Sequence, residues 1–440
     1  MKFYFLLVVG IWGVLSNLSA TNCYVSISGN DSNSGAVNAP FASIMRAQQN
    51  VHPGDTVFIR GGNYKLTNEN ISNVRRIWAV VNDITKGGRP GAMIHYFAYP
   101  GEKPVFDMSE VRPENKRVIA FNVTASWIHI KGLEIIGTQV TQTGHTQSEC
   151  FHNDGSHNIY ETLSMHDGQA IGFYLRSGSD NLILNCDAYR NYDYTSENGK
   201  GGNADGFGCH PQPGGTGNVF RGCRAWFNSD DGYDCIRAAE AVAFENCWSF
   251  YNGYSTDFKK LADGNGFKAG GWGLEKDHRV PDSMPMHTVR FCLAVGNRAN
   301  GFYANHQPGG GYWFNNTAYK NGTNYNMLNR NAEFTEDVPG YGHVLKNNLS
   351  FAPRTYETQH IDTATCELQN NSFQMKIKVR KSDFVSLDES QLTQPRKPDG
   401  SLPDIDFLKP KEKSKLIDRG VDVGFPYLGK APDLGCKEVK

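Results

Sequence analysis

The chain has 440 residues, more than a usual globular domain, and a formal net charge of -1 at pH 7. A charge so close to neutral gives no electrostatic footprint for nucleic acid, and beyond the first 20 residues no stretch is long and apolar enough to cross a bilayer. We therefore expect neither a nucleic-acid partner nor a membrane partner.

Residues 1–20 have the pattern of a secretory signal peptide. Lys2 precedes the apolar run from Phe3 to Leu15, and small residues follow up to Ala20. We expect a secreted or periplasmic protein whose mature chain begins near residue 21.

The segment from Tyr24 to Gly61 differs from the rest of the chain. Its pattern predicts a strand, a polar turn, a helix around Phe41 to Asn50 and a second strand at Thr56 to Arg60. A helix in this place would cap the open first coil of a repeating fold and protect its edge.

A repeated pattern occupies the middle of the chain, with a minimum spacing of 24 residues. Its copies are Asn185–Asn191, Gly222–Asn228, Asn246–Asn252, Phe291–Asn297 and Asn315–Asn321. We align a weaker copy with Thr162 in the column of Cys186 and Cys223. Short β-type runs at this period predict an all-β solenoid, a right-handed parallel β-helix over residues 21–382.

Two columns of this repeat have a structural explanation. We expect an asparagine ladder at one corner and an aromatic stack inside the coil. The ladder comprises Asn191, Asn228, Asn252, Asn297 and Asn321, and the stack comprises Phe207, Tyr233, Phe267 and Phe302.

The ten cysteines also follow the repeat. Cys186, Cys223, Cys247 and Cys292 share one column, so we interpret them as small core residues, although pairing within the column stays open. Without paired CxxC units, we do not expect a zinc site. Residues 383–440 lack the repeat, and we expect an extended tail packed on the coils of a monomer.

A second set of repeats carries the charged residues. In register, its segments are Ala204–Cys209, Asp230–Cys235, Gly264–Ala269 and Ala299–Ala304. Asp205 and Asp231 then share one column, while Asp234 and Lys268 share the next, with rungs ~4.8 Å apart.

This register brings four carboxylates together, those of Asp205, Asp230, Asp231 and Asp234. Calcium takes six to eight oxygen ligands and would relieve their repulsion. Without a lysine, a solvated acidic turn or a structural calcium site would explain the cluster equally well. Lys268 favours catalysis instead, because calcium and a neutral amine together suit proton removal beside a uronate carboxylate, although a surface salt bridge is the simpler alternative.

Three segments resemble polysaccharide lyase family 9, which includes pectate lyases and rhamnogalacturonan lyases. They are Ala204–Phe207, Cys223–Asp234 and Asp263–Lys268. The resemblance implies a right-handed parallel β-helix, with calcium held by the four aspartates and Lys268 as the Brønsted base. It also implies β-elimination on a galacturonate-containing pectic chain.

The substrate within this class is less constrained. A nearly neutral, aromatic-rich chain favours rhamnogalacturonan I over homogalacturonan, since rhamnose offers a methyl group to an apolar subsite. Candidate substrate-binding residues are His210, Arg237, Asn265, Lys276, Arg298, Tyr303 and His306.

Two functions from other classes stay open. A β-helix glycoside hydrolase would use clustered aspartates without calcium. A non-catalytic carbohydrate-binding solenoid would leave Lys268 unexplained. Unsaturated products would distinguish a lyase from a hydrolase.

Overall fold

The computed structural model describes residues 20–275 and 280–439, so the predicted signal peptide lies outside it except for Ala20. Within these residues the chain winds through three sheets in turn, here called A, B and C. Sheet A has twelve parallel strands: Asn22–Val25, Thr56–Ile59, Ile94–Ala98, Ile128–Lys131, Ile159–Glu161, Leu182–Leu184, Asn218–Arg221, Val242–Glu245, His287–Arg290, Gly311–Phe314, Val344–Lys346 and Glu367–Gln369.

Sheets B and C continue each coil. The ten parallel strands of sheet B are Gly62–Thr67, Pro104–Glu110, Glu134–Ile136, Ser164–His166, Asp187–Tyr189, Arg224–Trp226, Trp248–Phe250, Leu293–Val295, Thr317–Tyr319 and Leu349–Phe351. The eleven strands of sheet C are Asn73–Arg75, Trp78–Ile84, Arg117–Val123, Ser148–Asn153, Ala170–Leu175, Phe207–Cys209, Tyr233–Asp234, Phe267–Lys268, Asn300–Tyr303, Thr323–Asn326 and Tyr356–Gln359. All the strands of sheet C are parallel except the edge strand Asn73–Arg75. The predicted parallel β-helix is confirmed.

Smaller elements lie outside these sheets. Asn329–Arg330 and Asp337–Val338 form a short antiparallel pair. Single turns of 3₁₀ helix occur at Asn68–Asn70, Ser196–Gly199, Trp272–Leu274, Lys381–Asp383 and Glu389–Thr393. In the described residues, no helix has both the length and the apolar character that a membrane crossing requires.

The N-terminal helix spans Ile44–Asn50 and begins three residues later than predicted. Phe41 is instead extended, because it forms a parallel bridge with Val25: its N–H donates to the Tyr24 carbonyl at 2.8 Å, and its carbonyl accepts from the Ser26 N–H at 2.9 Å. Ser43 caps the helix, since its Oγ accepts from the Arg46 N–H at 3.0 Å. The helix buries Ile44 against the first coil.

Both structural columns are confirmed. The rings of Phe207, Tyr233, Phe267 and Phe302 stack at successive centroid distances of 4.9, 4.6 and 5.2 Å. Asn228 Nδ2 donates to Asn252 Oδ1 at 3.0 Å, and the same contact repeats along the ladder of five buried asparagines. Each asparagine therefore satisfies the hydrogen-bonding needs of its buried neighbour.

The cysteine column is buried as expected, and all ten cysteines are free. The alignment of Thr162 with this column was wrong by one residue. Ser164 pairs with Asp187, so Leu163 precedes it in the column of Cys186. Thr162 instead takes the turn position of Asn185, and both have positive φ angles, 51° and 55°.

The C-terminal segment covers the outer face of sheet B. Phe384, Leu392, Phe407, Leu416 and Leu434 form one buried cluster with outward side chains of that sheet. Those sheet B side chains include Trp226, Trp248, Phe250, Leu293 and Val295. The outer face of sheet C carries charged side chains instead.

Candidate active site

The repeated Gly-Phe pair sets the geometry of sheet C at its central rungs. The phenyl ring enters the core, while the glycine lies against the next rung: a Cβ on Gly206 would be 2.7 Å from the Gly232 carbonyl oxygen. The residues on either side of this pair therefore face outward in two parallel columns. These columns are hereafter the first column, before the glycine, and the second column, after the phenylalanine.

The register places the charged residues as predicted. Asp234 pairs with Gly208 on one side and with Lys268 on the other, all in the second column. Asp205 and Asp231 lie in the first column, where the Asp231 N–H donates to Asp205 Oδ1 at 3.0 Å. The predicted alignment of Asp234 with Lys268 is confirmed.

Three carboxylates form a compact cage. Asp205, Asp231 and Asp234 each offer an oxygen, and these oxygens lie within 4.8 Å of one another. Main-chain and amide donors hold the outer oxygens: Asp231 Oδ1 accepts from Asn265 N at 2.6 Å, and Asp234 Oδ1 accepts from Ile236 N at 2.7 Å. The second oxygens of Asp231 and Asp234 are left to face Lys268.

Asp230 lies at the margin of this cage. Its Oδ1 accepts from the Asp263 N–H at 3.0 Å. Its carboxylate does not belong to the group of three whose oxygens lie within 4.8 Å of one another. The side chain is nevertheless buried. Burial, followed by the charge of Asp231, raises the pKa of Asp230 well above its usual range.

Lys268 completes the arrangement. Its Nζ lies 3.0 Å from Asp231 Oδ2 and 3.1 Å from Asp234 Oδ2, and its side chain is only 11% exposed. Burial by itself lowers the pKa of Lys268, but the neighbouring carboxylates outweigh burial and raise it well above its usual value. A bound cation on those carboxylates would oppose that rise.

The carboxylates themselves are under electrostatic strain. Burial and the repulsion from Asp230 raise the pKa of Asp205, and burial and Asp234 raise that of Asp231. One ammonium group cannot balance four buried carboxylates. A hard divalent cation with oxygen ligands would relieve the imbalance, so the donor set fits calcium.

Three candidate substrate-binding residues lie on the C-terminal side of the cage. Asn265 donates from Nδ2 to Asp231 Oδ1 at 2.8 Å and so positions a carboxylate. Tyr303 follows Lys268 in the second column, and burial raises its pKa to about 12. The His306 ring lies 6.3 Å from the Tyr303 ring.

The remaining candidates are more scattered. His210 directly follows a sheet C strand, and burial lowers its pKa. Arg237 lies 3.5 Å from Glu275, whereas Arg298 donates to a main-chain carbonyl at 2.6 Å. Lys276 lies outside the described residues.

Sequence reasoning missed a charged network earlier on the same face. Glu149 contacts Arg117 and lies 2.5 Å from His152, whose Nε2 is 3.3 Å from Asp154. Asp154 in turn pairs with Arg176 at 2.6 Å. The run Ile171-Gly-Phe-Tyr174 carries the same Gly-Phe signal as the central rungs and could have extended the repeat towards it.

Two family models together match most of the chain. A family model described as "Pel9A-like, right handed beta helix region" matches residues 23–348, and a "Rhamnogalacturonan lyase-like, C-terminal" model matches residues 362–434. A pectate lyase L of Dickeya dadantii is 36% identical, covering 94% of this chain and 90% of that protein.

Two solved structures are similar to this chain over most of its length. A "Rhamnogalacturonan lyase" superimposes with a TM-score of 0.87 at 46% identity, covering 89% of this chain and 97% of that one. The crystal structure of pectate lyase Pel9A gives a TM-score of 0.78 at 33% identity, covering 96% and 98%.

Proposed function

Because the chain belongs to polysaccharide lyase family 9, with its right-handed β-helix, we propose that it cleaves a galacturonate-containing pectic backbone by calcium-dependent β-elimination. The products carry 4,5-unsaturated galacturonate ends. Membership of this lyase family argues against the two alternatives from the sequence, a glycoside hydrolase and a non-catalytic solenoid.

One observation carries the proposal. Lys268 Nζ lies within 3.1 Å of two carboxylates that belong to a buried three-carboxylate cage. A structural salt bridge needs one carboxylate partner, whereas this amine has two and adjoins a third. This arrangement suits a lysine base that must lie beside both a bound cation and the carboxylate of a bound uronate.

The positions of these groups support the following reaction. Asp205, Asp230, Asp231 and Asp234 would hold calcium. Calcium, when bound, would offset their charge, favour the neutral amine of the lysine and acidify the C5 proton of a uronate. Neutral Lys268 then takes that proton, and the C5–H electron pair forms the C4=C5 double bond.

The glycosidic bond breaks in the same step. The C4–O electron pair leaves with the glycosidic oxygen, which takes a proton from water. We assign the contacts with the sugars beside the reacting bond to His210, Asn265 and Tyr303, and we keep Arg237, Lys276, Arg298 and His306 as further candidates. Residues 1–20 would direct the enzyme to secretion.

Rhamnogalacturonan I is the proposed substrate, ahead of homogalacturonan. The support is the 46% identity to a solved rhamnogalacturonan lyase, against 33% to the solved pectate lyase Pel9A, together with the match of residues 362–434 to a rhamnogalacturonan lyase-like model.

Ultraviolet absorbance of the unsaturated product tests the function. The purified protein is incubated with rhamnogalacturonan I and, separately, with polygalacturonate, each with calcium and with chelator. We expect a calcium-dependent signal, stronger on rhamnogalacturonan I. New reducing ends without absorbance would refute elimination, and a stronger signal on polygalacturonate would reverse the substrate preference.

A further inference from the structure

A second cleft opens on the outer face of sheet C, on the N-terminal side of the cage. It encloses about 270 Å³ and is lined in part by Arg75, Trp78, Ile119, Asn122, His152 and Arg176. None of these residues belongs to the cage or to the substrate-binding candidates named above. The cleft spans three neighbouring strands and the antiparallel edge strand.

The cleft and the cage lie on the same columns. The second column runs from Asn122 through His152, Tyr174 and Gly208 to Asp234. His152 is therefore three rungs from Asp234, a distance of about 14 Å at the usual strand spacing. One extended saccharide lying along the coil axis can reach both places.

The charge of the cleft favours an anion. Arg75 and Arg176 pair with Asp83 and Asp154, yet the side chain of each arginine is 50% exposed. Their remaining N–H groups are available to a ligand. A guanidinium group is suited to a planar carboxylate, which it can bind through two hydrogen bonds.

The buried network behind the cleft adds positive charge. Burial lowers the pKa of His152, but Glu149 outweighs burial and leaves it at about 9, so His152 is protonated at neutral pH. Glu149 is fully buried between His152 and Arg117. The cations of this face are Arg75, Arg117, His152 and Arg176, against the anions Asp83, Glu149 and Asp154. One positive charge is left over.

The floor of the cleft is apolar. Trp78, Val80 and Ile119 line it, and the guanidinium carbon of Arg117 lies 5.4 Å from the Trp78 ring centre. An apolar floor with a few convergent polar groups suits the C–H face of a sugar ring rather than a free inorganic anion.

We propose that this cleft is a distal subsite for the substrate chain, in which Arg75 and Arg176 bind the carboxylate of a uronate whose ring rests on Trp78. It rests on the proposed function, because it assigns the cleft to the same saccharide that is cut at the cage. Its role is to hold long chains, and it takes no part in bond cleavage.

Chain length tests the subsite. Rates of unsaturated product formation are measured on two sets of rhamnogalacturonan I oligosaccharides. One set is long enough to span the cage and the cleft, and the other contains the shortest oligosaccharides that the enzyme cleaves. Arg75→Gln and Arg176→Gln are expected to raise KM about tenfold on the long substrates, the cost of one charged hydrogen bond, with kcat unchanged. Neither KM nor kcat should change on the short substrates.

Arg221→Gln is the matched control. Arg221 is also 50% exposed and paired to a glutamate, but it lies on sheet A. Its KM should match the wild type at every length. Unchanged KM in both cleft variants, or equal changes on long and short substrates, would overturn the subsite. Arg75→Lys, which keeps the charge but not the guanidinium fork, replaces Arg75→Gln if the latter fails to fold.

A direct binding measurement separates this inference from the proposed function. If the wild type forms no unsaturated product, the proposed function fails. Calorimetric titration with the long oligosaccharides then decides the subsite alone: weaker binding by Arg75→Gln than by Arg221→Gln supports it, and equal binding refutes it.

Discussion

The outer faces of sheets B and C are built on the same coils and yet have opposite chemistry. On sheet B, Trp226, Phe250 and Leu293 point outward and are buried beneath the C-terminal segment. On sheet C, the outward positions of the same coils hold Asp234 and Lys268. The coil needs only its inward residues and its turn positions, so outward positions are free to serve either packing or chemistry.

Replacement of Lys268 on the outer face of sheet C should have the largest effect on catalysis. Lys268→Ala is expected to lower kcat by about a thousandfold, because it removes the proposed base, while the fold persists. Ultraviolet product assays and circular dichroism measure the two outcomes. Lys320→Ala is the control, since Lys320 also pairs with a carboxylate, at 2.6 Å from Glu389. Activity of Lys268→Ala equal to that of Lys320→Ala would contradict the assignment.

Removing one cage carboxylate should separate metal binding from folding. Asp231→Asn is expected to weaken calcium binding by about a hundredfold, because calcium affinity follows ligand charge. An asparagine oxygen can still accept from Asn265, so the melting temperature without calcium should hardly change. Calorimetry with and without calcium measures both. A calcium-induced rise in melting temperature as large as that of the wild type would count against the cage as a calcium site.

The sheet B face should respond in stability and not in chemistry. Phe407 is fully buried and its ring lies 5.7 Å from Tyr319. Phe407→Ala should lower the free energy of unfolding by about 3–5 kcal/mol, from lost burial and a cavity. Urea denaturation measures the loss, with Tyr427→Ala, at an exposed position, as control. A drop in kcat of folded Phe407→Ala would show that the two faces are coupled.

The smallest effect concerns pH. The pKa of His152 is about 9 in the folded protein, where Glu149 outweighs the lowering by burial. A raised folded pKa stabilises below the unfolded value, about 6.5, and that contribution is lost as pH rises through 9. It should amount to at most about 3 kcal/mol of unfolding free energy.

Urea denaturation at pH 6.5 and pH 9.5 tests this linkage. The wild type should lose stability between the two, and His152→Gln should lose less. An identical loss in both proteins would remove His152 as the cause.

The central rungs were predictable because each repeats the same steric requirement. Gly206 and Gly232 must each lie against the next rung, so the residues after them fall into register. The pairing of Asp234 with Lys268 followed from that register. Thr162 was misaligned because its copy lacks the Cys and Asn markers, and the network around Glu149 was missed because its rung has no Gly-Phe pair.

The sequence by itself determined the fold and the two columns, and it predicted a cluster of four aspartates beside Lys268, since a short repeat encodes contacts between neighbouring rungs. Only the tertiary structure decided that Lys268 also contacts Asp231, that Asp230 lies at the margin and that the C-terminal segment covers sheet B. It also decided that Arg75 and Arg176, 101 positions apart in the chain, line one cleft. These contacts depend on side-chain reach and on loops of unequal length, which no repeat encodes.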